Sequence, residues 1–555
     1  MDDGKLFRIP DKDVRLFPHE VAVTQTRTFQ RLFHLKQLGL AYLVYPYATH
    51  TRAAHSISCL DEATNILFAI EVRDGTDFED VRMAALLHDI GHVPFSHTLE
   101  DEHVVLGQHD KSERLPKVLE CLKRELPSEL KERVDRAAEI LYGIVEFNGR
   151  KHEWKSDLVG NTVCADLLAY ITVDARWTGI EKRPGYYRMY KYLARKDNRL
   201  CIKLMTKGGL RQDIVSAILD LLDMRYALFE RVTYHHAKCI ASAMLARAAR
   251  LCNLTDATTI KEGGRHRQLY EVGDERFLDF LESRTYETDL NEVDALGARR
   301  LLEGLRSRKL YKRIFKIERG SRESWDAQRR DAEGASPFCD LWRKRTFVEE
   351  QLALVEKRAQ IPTGSLALWC PPARASMKEA KALVIWNDGK KLAGPRELRD
   401  LKLFPGVHER VEAIERQYLD LWTFWVGMDA GHLDKAAKVV DTLQEVTGIE
   451  CDVNFTNTHL LEYEGFEKNR ESLSLIRRIM APTVSEAEAN ILGQAAYTGT
   501  GNIDEETVIP SLKAAVDRRQ DILQKGEQLT MPDHQEDNNS GDEIADPRKG
   551  KRKQR

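Results

Sequence analysis

The most informative segment is His88-Asp89-Ile90-Gly91-His92-Val93-Pro94-Phe95-Ser96-His97, which places three imidazoles and one carboxylate within ten residues. It follows Val81-Arg82-Met83-Ala84-Ala85-Leu86-Leu87, an apolar segment with helical periodicity. We expect that helix to begin at the capping signature Thr76-Asp77-Phe78-Glu79. His88 falls on the apolar face of the helix, so its imidazole is expected to be buried. Because His88 and Asp89 together cost free energy in an apolar wall unless a cation neutralises them, the segment predicts a divalent metal ion.

Further candidate ligands lie upstream and downstream of this segment. Thr49-His50-Thr51-Arg52-Ala53-Ala54-His55-Ser56 opens the preceding predicted helix. Downstream, a helix predicted to begin at an Asn161 cap carries Asp166, Tyr170 and Asp174, whose spacing places all three on one side. An acid, an aromatic ring and a second acid along an otherwise apolar helix indicate the wall of a polar pocket.

Taken together, these residues resemble the His…His-Asp…Asp pattern of the HD-domain metal-dependent phosphohydrolases, and within them the deoxynucleoside triphosphate triphosphohydrolases. The resemblance covers roughly residues 10 to 430. Weaker likeness continues through Met224-Arg225, Tyr234-His235-His236 and Leu305–Lys312. The segments that carry it most strongly are Phe29–Leu32 with Lys36–Gly39, Val44–Ser56, His88–Glu100, His109–Ser112 and Asp166–Gly179.

The resemblance and the helical periodicity predict a mainly α protein. We expect an all-helical HD core at residues 1–255, a small α+β C-terminal lobe at 256–430 and a further helical extension at 431–527. The polar, acidic-then-basic sequence at 528–555 predicts a disordered tail. The strands of the C-terminal lobe are predicted at Ser365–Cys370 and Ala382–Gly389, joined through a turn.

Several other elements can be predicted from periodicity. Residues 112–145 indicate a helical pair, and 184–204 indicate a loop with a short strand. A long, mostly apolar helix is expected from Asp213 to Leu251, and it is a plausible self-packing surface. The basic 304–330 segment is most simply a solvated helix face; its functional alternative is an oligomer or nucleotide-binding surface.

Composition limits the class of protein. The 555 residues are 42% hydrophobic, with no run long enough to span a bilayer and no apolar signal-peptide core. Nine cysteines without a Cys-x-x-Cys pair indicate reduced thiols, so we expect a cytoplasmic protein. A net charge of −3 predicts no general attraction to nucleic acid, although the basic tail allows weak contact.

The resemblance implies a metal site made by His55, His88, Asp89 and Asp166. Two imidazoles and two carboxylates suit one divalent ion per chain, namely Mn, Fe, Zn or Mg. The implied reaction is hydrolysis of a dNTP to deoxynucleoside and inorganic triphosphate, by attack of a metal-activated water on the α-phosphorus.

The resemblance also assigns candidate catalytic residues. His97 matches the general acid, which gives the leaving alkoxide its proton. Glu100 and His109 are expected to join His97 in a relay in which the carboxylate orients one imidazole and compensates the charge of the other. His92 and Arg52 match phosphate-contacting residues, and an Arg fork suits a charge-dense phosphate.

Substrate-binding residues follow from the same resemblance. Gln37, Tyr170 and Asp174 match positions that contact the sugar, and Tyr234 matches the aromatic residue that excludes a ribose 2′-hydroxyl. Arg225 matches a residue that grips the outer phosphates. Plain helical geometry puts Arg225 and Tyr234 on opposite faces, so the helix must break between them if both serve one pocket.

Alternatives stay open at this point. Leu167 stands where the vertebrate enzyme of the family has a phosphate-binding lysine, which leaves room for an HD-type phosphodiesterase, nucleotidase or nuclease. A non-enzymatic scaffold is a third class, disfavoured by the complete ligand set. His50 and His103 are interpreted as core residues, and Asp174 has the simpler interpretation of an acid paired with Arg176. The resemblance further implies a homo-oligomer.

Overall fold

A computed structural model describes residues 4–9, 12–110, 113–146, 153–180, 185–206, 209–262, 264–318, 337–372, 382–385, 395–398 and 405–449. All of them belong to one compact unit, Met1–His459. The predicted extension is therefore described only as far as Ile449, and the predicted tail lies outside the described residues. The proposed boundaries at residues 255 and 430 stay predictions.

The protein is mainly α, as predicted. Its helices are α1 (Pro18–Thr24), α2 (Arg27–Gln30), α3 (Arg52–Ala69), α4 (Gly75–Leu87), α5 (Arg114–Glu125), α6 (Ser128–Ile144), α7 (Trp154–Val159), α8 (Ala165–Trp177), α9 (Gln212–Leu228), α10 (His236–Leu251), α11 (Asp274–Arg284), α12 (Glu292–Arg306), α13 (Pro337–Leu341), α14 (Arg345–Ala359), α15 (Pro405–Asp420) and α16 (Ala436–Thr447).

Short strands accompany the helices. They are β1 (Lys5–Ile9), β2 (Lys12–Leu16), β3 (Leu193–Lys196), β4 (Arg199–Lys203), β5 (Met205–Thr206), β6 (Gly209–Leu210), β7 (Thr259–Glu262), β8 (Arg265–Gln268), β9 (Lys312–Glu318), β10 (Leu366–Trp369), β11 (Leu383–Ile385), β12 (Arg396–Glu397) and β13 (Thr423–Met428). The larger sheets have the orders β10-β13-β9 and β12-β11-β4-β3, and the remaining strands form two-stranded hairpins.

Helix α3 lies at the centre of this part of the fold, where it packs against both α4 and α8. From Asp80 to Leu87, every residue of α4 is buried. A helix that is apolar on most sides belongs inside a domain, and this explains why α4 is enclosed by α3 and α6. The packing brings the first turns of α3 and α8 to the C-terminal end of α4.

Two predicted helix starts are wrong by a few residues. Helix α4 begins at Gly75 after an Asp74 cap, so Thr76 lies inside the first turn instead of capping it. Helix α8 begins at Ala165, where the Cys164 thiol accepts from the N–H of Leu167. The Asn161 side chain instead accepts from the next backbone N–H. A capping residue can be replaced by a neighbour without moving the apolar face, which is why the helices themselves were predicted.

The single helix predicted from Asp213 to Leu251 is two helices. A π-helical turn, Phe229–Thr233, separates α9 from α10 and supplies the required break between Arg225 and Tyr234. Every residue of α10 from Lys238 onward is buried within the chain itself. The prediction of a self-packing surface on α10 is therefore wrong, because its apolar side chains already pack against α12 and β10.

The basic 304–330 segment is not one solvated helix. Helix α12 ends at Arg306, and Lys312–Glu318 is strand β9, whose Ile314, Phe315 and Ile317 are buried. Branched and aromatic residues favour the strand over the predicted helix. Residues 319–336 lie outside the described part of the chain.

Strands lie in both segments predicted for the C-terminal lobe, but they do not form a hairpin. Strand β10 pairs with β13, whereas β11 pairs in parallel with β4. The parallel pair joins the lobe to the inserted strand of the HD core, a long-range contact that local pattern does not reveal. Among the described residues, no helix combines the length and hydropathy needed to cross a bilayer.

Candidate metal centre and active-site pocket

Three helices bring the predicted metal ligands together. His55 lies in the first turn of α3, His88 caps the C-terminal end of α4, and Asp166 lies in the first turn of α8. Because α3 packs against α4 and α8, these side chains meet although they are far apart in sequence. We call His55, His88, Asp89 and Asp166 the metal cluster.

The donor atoms of the metal cluster have the spacing of ligands around one ion. His55 Nε2 lies 3.1 Å from His88 Nε2 and 3.1 Å from Asp166 Oδ1. His88 Nε2 lies 3.7 Å from the same Asp166 oxygen and 3.3 Å from Asp89 Oδ1. Ligands bound at about 2.1 Å stand about 3.0–3.5 Å apart in tetrahedral or octahedral geometry. His55, His88 and Asp166 can therefore hold a divalent metal ion, and Asp89 lies beside His88.

Neighbouring groups prepare the ligands for a cation. His88 Nδ1 lies 2.8 Å from the carbonyl oxygen of Ala85, so Nδ1–H donates there and Nε2 is left for the ion. Burial alone would raise the pKa of the Asp89 carboxyl, but the charges of His88 and Arg52 hold it well below its usual range. Asp166 is likewise held ionised, because hydrogen bonds from His55 and His88 outweigh burial and lower its pKa. An ionised carboxylate is the form that binds metal.

A second group, which we call the histidine cluster, consists of His92, His97, Glu100 and His109. Glu100 Oε2 lies 3.0 Å from His92 Nδ1 and 3.1 Å from His109 Nδ1. Its other oxygen accepts from Arg114 at 2.7 Å. Burial raises the pKa of the Glu100 carboxyl, yet the two histidines lower it further than burial raises it. The structure thus places Glu100 between His92 and His109, as an ionised and enclosed acceptor.

His97 has a different carboxylate partner from the one predicted. Its Nδ1 lies 2.6 Å from Asp101 Oδ2, so its hydrogen-bonding partner is Asp101 and not Glu100. The expectation that Glu100 compensates His97 is wrong in this respect, because both Glu100 oxygens are already occupied. The His97 side chain is 51% exposed and its ring lies 4.8 Å from that of His92.

One cavity of about 590 Å³ joins both clusters to the predicted substrate residues. Of the fourteen residues predicted for the site, thirteen line it, and Glu100 lies behind them. Those that line it are Gln37, Arg52, His55, His88, Asp89, His92, His97, His109, Asp166, Tyr170, Asp174, Arg225 and Tyr234.

Some buried polar atoms in the cavity wall have no hydrogen-bond partner among the described residues. Arg52 Nε donates to Ser96 at 2.6 Å and Nη1 donates to Asp89, but Nη2 has no acceptor. Gln37 Oε1 likewise has no hydrogen-bond donor among the described residues. Unsatisfied buried groups cost about 1–3 kcal/mol each, so these atoms are available to water or to a polar ligand in the cavity.

His50 is a buried core residue, as predicted, and its hydrogen-bonding partner is Asp174. The His50 Nε2 and Asp174 Oδ1 atoms are 2.8 Å apart, and the His50 ring stacks on Trp177 at 5.8 Å. Asp174 is therefore paired with His50, a contact that was not predicted from the sequence. His103 is buried against Trp369, in agreement with its predicted core role.

Four further residues that line the cavity could not be predicted from the sequence. They are Asp101, Lys238, Arg343 and Trp369. Tyr234 meets Trp369 edge to face at 5.9 Å, and Lys238 lies over the Trp369 ring. Arg343 and Trp369 come from the C-terminal lobe, and only the tertiary fold brings them here.

The residues of the metal cluster lie in a segment that matches a known family model. Residues 52–174 match the model of the HD domain family, from Arg52 through Asp174. This segment of the chain is therefore similar to HD domains.

Comparisons with individual proteins agree with this class. The chain is 32% identical over 245 residues to an uncharacterized protein of Methanocaldococcus jannaschii, covering 43% of this chain and 47% of the relative. It is 26% identical over 311 residues to the deoxynucleoside triphosphate triphosphohydrolase SAMHD1 homolog of Dictyostelium discoideum, covering 53% and 56%. The bovine SAMHD1 is 24% identical over 377 residues, covering 58% and 61%. The chain thus matches only about half of the length of these relatives.

A solved structure shares the fold. A phosphohydrolase from Bacteroides thetaiotaomicron VPI-5482 aligns with a TM-score of 0.52 at 18% identity, covering 77% of this chain and all of that chain. The likeness extends the shared fold well beyond the HD domain.

Proposed function

We propose that this protein hydrolyses deoxynucleoside triphosphates to deoxynucleoside and inorganic triphosphate. The observation that carries the proposal is the joining of the metal cluster, the histidine cluster and the predicted sugar and phosphate residues in one cavity. Similarity to deoxynucleoside triphosphate triphosphohydrolases supports the choice of substrate.

The cavity contains groups suited to each part of such a substrate. Arg52, with its unpartnered Nη2, and the buried Arg225 are the cations for the triphosphate. Gln37 and Asp174 offer oxygen atoms to a sugar hydroxyl, and Tyr234 supplies an aromatic wall. A 2′-hydroxyl would need space or a partner beside that wall, so we infer a preference for deoxyribose.

Hydrolysis requires a water nucleophile and a proton for the leaving group. A divalent ion in the metal cluster supplies charge neutralisation and an activated water when it is bound. As water adds to the α-phosphorus and the bond to the 5′-oxygen breaks, protonated His97 gives its Nε2 proton to that oxygen and becomes neutral. Glu100 keeps His92 and His109 in place beside the phosphate.

The deciding experiment is product analysis. All four dNTPs, the rNTPs and single-stranded DNA should be incubated with the protein in Mg and then in Mn. We expect nucleoside and triphosphate from dNTPs, in equal amounts, by chromatography. Monophosphate and pyrophosphate as primary products would contradict the proposal.

A second candidate is an HD-type phosphodiesterase, nucleotidase or nuclease. The observation that favours it is Leu167, an apolar side chain in the cavity wall where the similar vertebrate enzyme has a phosphate-binding lysine. A cavity with one cation fewer binds a triphosphate less tightly. Release of mononucleotides from single-stranded DNA, with dNTPs left intact, would select this candidate.

We also infer one metal ion per chain and a homo-oligomer, as the resemblance implies. Because α10 is buried within its own chain, the contact between copies must use another surface. Sedimentation at micromolar concentration should give a mass above that of one chain, and a strictly monomeric mass would contradict the inference.

A further inference from the structure

The turn before His97 has strained backbone. Phe95 and Ser96 have φ values of 56° and 43°, a region that costs non-glycine residues about 1–3 kcal/mol each. The N–H of Phe95 donates to the buried Asp274 at 2.8 Å, which holds the turn from helix α11. Strain of this kind persists only where the surrounding contacts fix the backbone, so the position of His97 is built into the fold.

Asp101, the acid beside His97, also accepts hydrogen bonds from two further segments of the chain. While one Asp101 oxygen accepts from His97, the other accepts from Gln108. The backbone oxygen of Asp101 accepts from Arg343 at 2.6 Å. Burial would raise the pKa of the Asp101 carboxyl, but the hydrogen bond and charge of His97 hold it at about 2.

This arrangement differs from an ordinary surface ion pair. An exposed pair four residues apart contributes about 0.3–0.5 kcal/mol and leaves both side chains mobile. Here the acid is fixed on both carboxylate oxygens and on its backbone. Glu100, the acid of the histidine cluster, is hydrogen-bonded to His92, His109 and Arg114 instead.

We propose that Asp101 is a positioning residue that fixes the tautomer and ring orientation of His97 for proton transfer. This rests on the proposed function, in which His97 is the acid. Asp101 accepts the Nδ1 proton of His97 throughout and stays a carboxylate. Nε2 therefore carries the proton that goes to the leaving oxygen as the phosphorus–oxygen bond breaks, and His97 ends neutral with its proton on Nδ1.

A double-mutant cycle on kcat tests the proposal. Asp101→Asn should lower kcat about tenfold to a hundredfold, a part of the hundred- to ten-thousandfold effect of a general acid. In the His97→Ala background the same change should alter kcat by less than about twofold, because the residue through which it acts is gone. Asp279→Asn, which removes an exposed acid from α11, is the matched control and should leave kcat unchanged.

The outcomes separate this proposal from the function on which it rests. An equal loss from Asp101→Asn in both backgrounds indicates a general structural role and overturns the proposal. Near-normal turnover of His97→Ala instead overturns the choice of acid. Nitrogen-15 NMR of selectively labelled histidines adds a readout that needs no substrate: neutral His97 should carry its proton on Nδ1, and Asp101→Asn should release it to a tautomer mixture. A wild-type His97 protonated on Nε2 would overturn the proposal.

Discussion

Arg52 and Arg247 are both only 1% exposed, yet their surroundings differ. Arg247 donates to Glu349, to both oxygens of Glu356 and to the Leu366 carbonyl, so all three of its nitrogens have partners. Arg52 uses Nε and Nη1 and leaves Nη2 without an acceptor among the described residues. A buried cation is expensive unless it is fully paired. The comparison therefore contrasts a fully paired arginine, which joins α10 to β10 and α14, with one that lines the cavity and has one nitrogen without a protein acceptor.

The largest expected effect is the loss of metal and turnover when residues of the metal cluster beside Arg52 are changed. Changing His88 and Asp89 together to Ala removes two of four metal ligands, so we expect metal content and turnover to be lost. Circular dichroism should remain that of the folded protein, because the apolar face of α4 is untouched. Elemental analysis that finds full metal occupancy in the double variant would rule out the metal cluster.

His97→Ala should have the next largest effect. The variant loses its proton donor, so turnover should fall about a hundred- to ten-thousandfold. Metal content should be unchanged, because His97 lies outside the metal cluster and its Nδ1 is on Asp101. A variant that loses its metal would show that His97 is a ligand.

Arg247→Lys tests whether the fully paired arginine stabilises the protein. Lysine keeps the charge but cannot reproduce the fork that serves four acceptors, so the free energy of unfolding should fall by about 2–4 kcal/mol. The loss should appear in chemical denaturation, with KM unchanged for the folded enzyme. A stability equal to wild type would mean that the pairing around Arg247 contributes nothing.

The same contrast explains what the sequence could and could not predict. His55, His88, Asp89 and Asp166 could be predicted as ligands because ligand type and helical position are local properties. The structure groups His55, His88 and Asp166, with Asp89 beside His88. The break between Arg225 and Tyr234 was deduced from helical geometry and is present.

Other features depend on contacts that the chain makes only when folded. Asp101 differs from Glu100 by one position, and it is the partner of His97 because Glu100 is engaged by His92, His109 and Arg114. Trp369 reaches the cavity from a strand whose pairing is long-range. Buried α10 had the same apolar composition that a surface for self-association would have, so composition alone could not separate the two.

Arg52→Lys should have the smallest effect on stability and is the counterpart of Arg247→Lys. The lysine keeps a positive charge beside Asp89, so no carboxylate is left unpaired, and unfolding free energy should change by less than about 1 kcal/mol. The fork nitrogen offered to phosphate is lost, which should raise KM about tenfold to a hundredfold, the equivalent of one charge-assisted hydrogen bond. Steady-state kinetics and chemical denaturation on the two Arg→Lys variants test the pair together. If Arg52→Lys lost stability as Arg247→Lys does, with KM unchanged, then Arg52 would be a structural arginine and its unpartnered nitrogen would carry no functional meaning.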